Sequence, residues 1–419
     1  MIKIITVKNV NSFAKSQPHK FDKKLVESII NLVQKDGDSA LRKFEKKFSG
    51  VNIKTFQVSK KEIKDAYQSV TKGQIQAIKL AKTRLEKTES ALKNKLGKIE
   101  IKTDGIKITK IFTPLDSVGC YVPGGLARYP SSVIMSVVPA KIAGVKKILV
   151  VTPPNKQGKV DPLVLVAADI CKADKIFKVG GAHAIAALAF GTKSIPQVDK
   201  IVGPGGSFVT AAKYLVSDTT SIDMLAGPTE LAIIADDSAD PKFVALDLIS
   251  QAEHSSDTTC YLITTSKNLA YKVVDFIEKI TPTLQRKDII TDSLNKNGFV
   301  AICKMSVAIS LANNLAPEHL EIMTRQPKAI SNKIKTAGLV LLGQNTPSAA
   351  SDYLLGTNHI LPTNKFGRSR GSLSVLDFLK IHTSVESSKQ DLQKIDKYLS
   401  ALAKAESLPN HYEAVKKRL

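Results

Sequence analysis

The sequence predicts an α/β protein with two Rossmann-like domains on mainly parallel sheets, together with an N-terminal helical segment and a small C-terminal helical tail. Three observations predict this fold. The chain has 419 residues, which is more than one small core accommodates. From about residue 117, short apolar runs alternate with helical patterns, which is typical of βαβ units. These runs are also too numerous for one Rossmann-type half, so we expect two α/β domains.

The strands of this fold are predicted from apolar runs that end in turn residues. An apolar run without polar alternation is typical of a parallel strand that helices cover on both faces. The runs expected to form buried strands, in chain order, are KKILVVTPP, DKIFKVGG, VDKIVGPGG, TELAIIADD, TCYLITTS, GFVAICK and AGLVLLG.

Helices are predicted before this region. Residues 23 to 96 carry helical patterns, such as the apolar spacing of KKLVESIINLVQ. Ser59 and Glu62 have the spacing of a capping box, in which each side chain accepts a hydrogen bond from the other residue's backbone N–H.

A β-hairpin is predicted next, because KIEIKTDGIKITKIF alternates apolar and polar residues around Asp104-Gly105, two residues that tolerate positive φ. From about residue 385, VESSKQDLQKIDKYLSALAKAE predicts an amphipathic helix. We therefore expect a first α/β domain formed by residues 1–25, 100–120 and 230–372, a helical region at 26–99, a second α/β domain at 121–229 and a helical tail at 373–419.

Composition narrows the classes of function. The start, MIKIITVKNVNSF, lacks the apolar run of a signal peptide, and no segment has the pattern of a membrane span, so we expect a cytoplasmic protein without membrane contact. The cysteines form no CxxC pair and fit reduced thiols. The net charge of +23 suggests nucleic-acid binding, but the lysines are dispersed and Trp is absent. We therefore expect no nucleic-acid partner.

Glycine-rich turns predict nucleotide binding. They are VPGGLARYPSS at 122–132, VGGAHA at 179–184 and VGPGGS at 202–207, each between a predicted strand and a predicted helix. Glycine lets a phosphate approach the backbone, and the following helix start offers free N–H donors. None of the three is the G-x-G-x-x-G fingerprint, and there is no P-loop, so a dinucleotide would be held in a non-standard way.

Polar residues in three separate segments could form a metal site. Gln251 and His254 are three residues apart on a predicted helix and would face the same side. Asp352 precedes a loop with His359, and the tail offers His411. Gln251, His254, Asp352 and His411 would make a mixed N/O set suited to zinc. The spacing leaves open that His254 is a surface helix residue and His411 a solvated residue near the terminus.

The segment APEHLE places Glu318 next to His319 and directly after Pro317. Two neighbouring proton-transfer groups favour acid–base catalysis. The alternative is the polar first turn of a helix, where proline and glutamate are both common. The residues themselves leave both interpretations open.

Taken together, these motifs resemble the histidinol dehydrogenase family, over nearly the whole chain and least over the N-terminal helices. The resemblance rests on GCYVPGGLARYPSSVIMSVVPAKIAGV, VGGAHAIAALAFGT, VDKIVGPGG, IDMLAGPTE, DLISQAEHSSD, NLAPEHLEI, SDYLLGTNHILPT and ESLPNH. It implies a zinc-dependent enzyme that oxidises L-histidinol to L-histidine through L-histidinal with two NAD⁺, the last step of histidine biosynthesis. It also implies a homodimer with shared active sites.

The resemblance implies roles for individual residues. Glu318 and His319 match the catalytic pair in the first α/β domain. Gln251, His254 and Asp352 match ligands of one zinc ion per subunit, and His411 would complete the set from the tail of the partner subunit. The positions that match substrate contacts are Thr229, Gln251, His254, His319, Asp352, His359, Glu406 and His411.

Cofactor positions in the second α/β domain depart from the family pattern. Tyr121 matches, but His183 stands where glutamine is common and Gly206 where asparagine is usual. We expect NAD to be used with altered contacts. A zinc- and NAD-dependent relative that oxidises another primary alcohol, such as a sulfonated diol, is the main rival, and Glu406 and His411 weigh against it. A catalytically silent nucleic-acid-binding or scaffold protein is the rival from another class, and only the charge suggests it.

Overall fold

The structure is a computed structural model that describes residues 2–10, 22–124 and 128–419. The strands are β1 Lys3–Thr6, β2 Ile99–Thr103, β3 Ile106–Pro114, β4 Ser117–Tyr121, β5 Lys147–Thr152, β6 Lys175–Lys178, β7 Lys200–Val202, β8 Ser221–Ile222, β9 Glu230–Ala235, β10 Thr259–Thr264, β11 Phe299–Ile302, β12 His319–Met323, β13 Leu339–Leu342 and β14 Leu379–Glu386.

The α-helices are α1 Lys23–Asp36, α2 Asp38–Phe48, α3 Lys60–Gln68, α4 Lys72–Lys93, α5 Pro130–Ala143, α6 Pro162–Ile170, α7 Gly181–Phe190, α8 Ser207–Val216, α9 Pro241–Ala252, α10 Lys267–Ile280, α11 Lys287–Asn297, α12 Met305–Leu315, α13 Pro327–Ser331, α14 Ser348–Ser351, α15 Lys389–Ala405 and α16 Pro409–Lys416. Short 3₁₀ turns lie at Thr281–Thr283, Phe366–Arg368 and Val375–Phe378.

A larger parallel sheet has the strand order β1-β11-β10-β9-β12-β13. Separate buried clusters of apolar side chains cover its two faces, as expected for strands without polar alternation. The central pair, β9 and β12, sets the register that matters for the site, because His319 lies opposite Leu231. The first residues of these two strands are therefore neighbours at the amino edge of the sheet.

A smaller parallel sheet has the order β6-β5-β4-β7-β8. Helices α1 to α4, which include the predicted capping box of Ser59 and Glu62 at the start of α3, contribute to the two apolar clusters on its faces. Strand order places β4 between β5 and β7, so the turns that follow β4, β6 and β7 lie along one carboxyl edge. This is the edge at which open α/β sheets bind ligands.

An antiparallel sheet with the order β14-β3-β2 stands apart from the parallel sheets. Asp104 and Gly105 both have positive φ and form the predicted hairpin turn between β2 and β3. Helix α15 of the tail begins beside this turn, where Lys394 Nζ donates to the Asp104 carbonyl at 3.1 Å. The tail is thereby fixed to the hairpin.

The predicted fold class is confirmed: the chain is α/β with two mainly parallel sheets, helices at the start and a helical tail. Every apolar run expected to be a strand forms one. The domain limits stay a prediction. Four strands were not predicted, β1, β8, β12 and β14, and β4 was implied only by the glycine-rich turn that follows it. Among the described residues, no helix is long and apolar enough to span a membrane.

Candidate active site

Ionisable side chains gather at the amino edge of the larger sheet, where β9, β12 and β13 begin. His319 is the first residue of β12 and lies opposite Leu231 of β9 and Leu339 of β13. Both neighbours are apolar, and His319 is only 2% exposed. A buried imidazole with strands on both sides has a fixed backbone position, which is what catalytic geometry requires.

The segment APEHLE forms the end of a helix and the start of a strand, so the alternative of a helical first turn is wrong. Ala316 adopts a left-handed conformation that ends α12. The backbone then pairs with the next strand, because Gly338 N–H donates to the Pro317 carbonyl and Leu339 N–H to the Glu318 carbonyl, both at 2.9 Å. The central place of β12 between β9 and β13 outweighs the local helix signals.

Glu318 is a buried carboxyl group, 7% exposed. Its Oε2 accepts a hydrogen bond from the backbone N–H of Glu230 at 3.0 Å. Burial raises the pKa of Glu318 to about 8, although the nearby His319 and the Glu230 N–H act in the opposite direction. A carboxyl group of this kind changes protonation near neutral pH and suits general base catalysis.

The imidazole of His319 lies between two carboxylates. Its Nδ1 is 3.8 Å from Glu318 Oε2, and its Nε2 is 3.7 Å from Asp352 Oδ1. Both distances exceed a hydrogen bond, and neither ring nitrogen has another partner in the described part of the chain. Burial alone would lower the pKa of His319, but Asp352 and Glu318 outweigh it and raise the pKa. The two free nitrogens leave room for a substrate group.

Gln251 is buried at the end of α9, where its Oε1 accepts a hydrogen bond from Ser348 Oγ at 3.4 Å and its Nε2 has no partner among the described residues. Helix α9 ends at Ala252, so His254 is not a helical residue and the prediction of a shared helix face is wrong. His254 lies exposed just beyond the helix, where its N–H donates to the Gln251 carbonyl at 3.2 Å. The turn keeps both residues close in space.

Asp352 and His359 face the same site from the loop after α14. Burial tends to raise the pKa of Asp352, but the neighbouring His319 outweighs it and lowers the pKa. His359 Nδ1 is 2.8 Å from the Asp352 carbonyl, which only accepts, so Nδ1 carries the proton and Nε2 is left as an acceptor. Burial also lowers the pKa of His359, which favours the neutral ring.

The remaining predicted substrate residues differ in position. Thr229 precedes β9 and is half-buried, and its carbonyl accepts from Thr259 N–H. Glu406 and His411 are exposed on the tail, Glu406 at the end of α15 and His411 in α16. In the described part of this single chain, no three His, Cys, Asp or Glu side chains converge to hold a metal ion.

Gln251, His254 and Asp352 have side chains that suit a metal ion, but they do not form a complete set of ligands. Gln251 has a buried amide whose donor lacks a partner among the described residues. His254 is near enough to Asp352 and His359 to contribute to the lowered pKa of each. Amide oxygen, imidazole and carboxylate are donor types that zinc accepts. The edge therefore offers three of the four predicted ligands and lacks His411.

The glycine-rich turns of the smaller sheet are shaped by backbone conformation and close backbone approach. Gly203 has φ +115°, and a Cβ there would lie 2.1 Å from the Tyr121 carbonyl oxygen, so only glycine fits. Gly206 caps α8, and the space where its Cβ would lie is open. Part of the turn at 122–132 lies outside the described residues, because 125–127 are not described.

The middle turn, at 179–184, already has partners for its N–H groups. Gly180 N–H donates to Glu45 Oε1 at 2.8 Å, and Gly181 N–H donates to the Tyr121 hydroxyl at 3.2 Å. His183 is 2% exposed, and its Nε2 is 2.9 Å from the same Glu45 oxygen. The imidazole is thus directed at α2, and a phosphate at this turn would compete with the Glu45 carboxylate.

Two residues at these edges, Glu230 and Glu45, were missed from the sequence. Glu230 begins the predicted strand TELAIIADD, and an acidic residue at the start of a buried strand was the available signal. Glu45 carried no such signal, because it sits among charged residues in a surface-like helix pattern. Only the packing of α2 against α7 shows that it is fully buried.

The polar loop after α14 connects the two edges. Asn358 Nδ2 donates to the Met135 carbonyl in α5 at 2.7 Å, and Thr363 Oγ1 accepts from Gly227 N–H at 2.6 Å. The first bond ties the loop to a helix of the smaller sheet, and the second ties it to the linker before β9. The loop therefore links the start of β9 in the larger sheet to a helix that packs on the smaller sheet.

Comparisons with known proteins agree along the chain. A sequence model for histidinol dehydrogenase matches residues 14–419. Histidinol dehydrogenases of Methanococcus maripaludis and Clostridium acetobutylicum are each 45% identical, over 395 and 397 residues, which is 94% of this chain and 92% of theirs. The crystal structure of histidinol dehydrogenase from Elizabethkingia anophelis superposes with a TM-score of 0.94 at 34% identity and covers 100% of this chain and 98% of that one.

Proposed function

The chain belongs to the histidinol dehydrogenase family, and from that premise we propose that it oxidises L-histidinol to L-histidine through L-histidinal. The observation that carries the proposal is the buried group at the amino edge of the larger sheet, where His319 lies between Glu318 and Asp352 with both ring nitrogens unpaired among the described side chains. An alcohol oxidation needs a positioned base, and this imidazole, held between two carboxylates, is in a position to act as one.

The first oxidation needs a group that removes the alcohol proton. His319 is the proposed base, since a proton on its ring would be stabilised by the carboxylates on either side. Their negative charge favours the imidazolium that forms. NAD, when bound, supplies the hydride acceptor in each of two oxidations, which makes the overall reaction a four-electron one.

The second oxidation needs a hydrated aldehyde. Glu318 is the proposed base that removes a proton from the attacking water, because its carboxyl group is held 3.8 Å from the His319 ring and changes protonation near neutral pH. The two bases act at nearly one place, as two successive steps on one carbon require.

Zinc is proposed at Gln251, His254 and Asp352, with His411 from the partner subunit as the fourth ligand. A bound zinc ion would supply a Lewis acid that orients the imidazole and amine of the substrate. Thr229, His359 and the partner's Glu406 are proposed substrate contacts. In the free chain, His359 offers an unprotonated Nε2 to a donor on the substrate.

NAD is proposed along the carboxyl edge of the smaller sheet. Tyr121 and the turn capped by Gly206 support this position, because the start of α8 has no side-chain cap and the space beside Gly206 is open. His183 is proposed to act through the turn it stabilises, since its ring is directed at Glu45.

A homodimer is proposed because the tail and hairpin sheet expose large apolar side chains. They are Ile99, Ile101, Ile381, Val385, Tyr398, Leu402 and Leu408, each more than 40% exposed. An apolar surface of this kind is typical of an interface between subunits. The same tail carries Glu406 and His411, which the chain's own site lacks.

The direct test is the number of NADH molecules formed per L-histidinol consumed. Two equivalents, with L-histidine as product, are expected from the zinc-loaded protein, and a chelator that strips the metal should abolish the reaction until zinc is restored. One equivalent with accumulated aldehyde would indicate a simple alcohol dehydrogenase. No reaction with L-histidinol would contradict the proposed function.

A further inference from the structure

Glu230 is a half-buried residue beside Glu318, and the proposed mechanism leaves its carboxyl group without a role. Its backbone N–H donates to Glu318 Oε2 at 3.0 Å, and in return Glu318 N–H donates to Glu230 Oε2 at 3.3 Å. Each glutamate thus holds the carboxylate of the other. The second oxygen of Glu230 accepts from Asn364 N–H at 2.8 Å.

Strand register explains why these two residues meet. β9 and β12 are parallel neighbours, and the residues just before the Leu231–His319 pair are Glu230 and Glu318. The N–H groups at this edge need acceptors where strand pairing begins, and each carboxylate supplies one. The arrangement fixes the side-chain direction of Glu318 from a residue on a different strand.

Several ionisable groups surround Glu230 and Glu318. Burial raises the pKa of Glu230 to about 7 and that of Glu318 to about 8, and the negative charge of Glu230 contributes to the increase at Glu318. The other groups that face the pair are His319, Asp352 and Lys365.

We propose that Glu230 is a positioning residue for Glu318: it fixes the Glu318 carboxylate beside His319, and its negative charge strengthens Glu318 as the proton acceptor for water. This inference rests on the proposed function and deepens it. It assigns Glu230 to the aldehyde half of the reaction, in which water adds, and not to the alcohol half, in which His319 acts.

The step is balanced without a further reactant. One proton passes from water to the Glu318 carboxylate, and the water oxygen bonds to the aldehyde carbon. The electron pair of the carbonyl π bond moves to the aldehyde oxygen, which takes the proton that His319 removed from the alcohol. The hydrate then contains the atoms of one aldehyde and one water.

Glu230→Gln tests the inference, because an amide keeps the size of the side chain but loses the charge and cannot accept through both terminal atoms. With L-histidinal supplied directly, kcat is expected to fall on the order of 10- to 100-fold, since a displaced base costs about this much. The rate of the first NADH from L-histidinol should change less than about threefold. The acid limb of the histidinal pH profile should move to lower pH, because the charge that raised the pKa of Glu318 is gone.

Glu89→Gln is the matched control. Glu89 is a glutamate whose carboxylate, like that of Glu230, accepts a backbone N–H, that of Val375 at 2.6 Å, and burial raises its pKa too. It lies outside the site, so this variant should show a similar loss of thermal stability and no selective loss with histidinal. Equal losses with both substrates in Glu230→Gln, or a pH profile identical to that of Glu89→Gln, would overturn the inference.

Two further outcomes are distinguishable. If Glu230→Gln fails to fold, Glu230→Asp keeps the charge and withdraws the carboxylate by one methylene group, and the same selective loss is expected. Wild-type rates in Glu230→Asp would contradict positioning. A wild-type protein that oxidises neither L-histidinol nor L-histidinal would instead contradict the proposed function.

Discussion

The two parallel sheets carry different kinds of residues at the edges where we propose that ligands bind. The smaller sheet offers glycine backbone at the carboxyl ends of β4, β6 and β7, whereas the larger sheet offers ionisable side chains at the amino ends of β9 and β12. Glycine turns depend on backbone geometry, and Gly203 is an example that no other residue could replace. The proposed catalytic edge depends instead on buried ionisable side chains such as Glu318, whose pKa is raised by burial.

This contrast teaches why changes at the two edges should differ in size. A backbone turn distributes ligand binding over several N–H groups, so one altered side chain has a modest effect. A buried base has no substitute, so its loss removes a chemical step. Changes at the two edges can therefore be ranked from the largest expected effect to the smallest.

His319→Asn should have the largest effect. Loss of the proposed base is expected to lower kcat for L-histidinol on the order of 10²- to 10⁴-fold, as measured by NADH absorbance. His382→Asn is the control, because His382 is exposed on β14 and has no role in the site. If kcat falls less than about tenfold in His319→Asn, the amino edge of the larger sheet takes no part in the chemical step.

Mixing inactive chains should restore activity if the amino edge needs the tail of a second subunit. His411→Ala and His319→Ala chains, exchanged under mild denaturant, would form half mixed dimers with one intact site each, so about a quarter of wild-type activity is expected. Each variant carried alone through the same treatment is the control. No recovery after proven subunit exchange would show that each site is complete within one chain.

Gly206→Asn should have a small effect on the other edge. The side chain enters open space, and the added amide is expected to lower the KM for NAD about 3- to 10-fold, which corresponds to roughly one hydrogen bond. kcat for L-histidinol should stay within about twofold, because the proposed chemical step lies at the larger sheet. A large fall in kcat with an unchanged KM would show that Gly206 affects the chemical step, and the two edges would then not differ as proposed.

The pH dependence of stability should give the smallest effect. Glu318 has a folded-state pKa near 8 against an ordinary value of 4.5, so the folded state holds a proton that the unfolded state releases between these values. Its contribution to the free energy of unfolding is present below pH 4.5 and is lost as pH rises to about 8. The Tm of metal-free protein should therefore fall more steeply from pH 5 to 8 in wild type than in Glu318→Gln. Parallel curves would contradict a raised pKa.

Much of the fold could be predicted from the sequence because its signals are local. Asp104-Gly105 predicted the hairpin because its turn requires positive φ. Runs of apolar residues predicted buried strands such as β9 and β10. β12 was missed because Pro317 and Glu318 are equally good signals for a helix start. Its strand conformation comes from β9 and β13 on either side, which are distant in sequence.

The candidate site was predicted as a set of residues and less well as a geometry. His254 was assigned to α9, but the helix ends at Ala252, since the residues after it form a turn toward β10. Glu230 was missed because its partner Glu318 is 88 residues away, and only strand register brings them together. The roles of the site residues, including His411 in a partner subunit, stay predictions.

The turn at Gly105 also restricts where the tail can lie. A Cβ at Gly105 would meet the carboxylate of Asp391, a buried residue in the first turn of α15. A substitution there would push the tail off the hairpin while both parallel sheets kept their cores. If the tail completes the partner subunit's site, as we propose, such a variant would lose activity with L-histidinol although the substituted residue lies in a hairpin turn outside the group of reacting side chains.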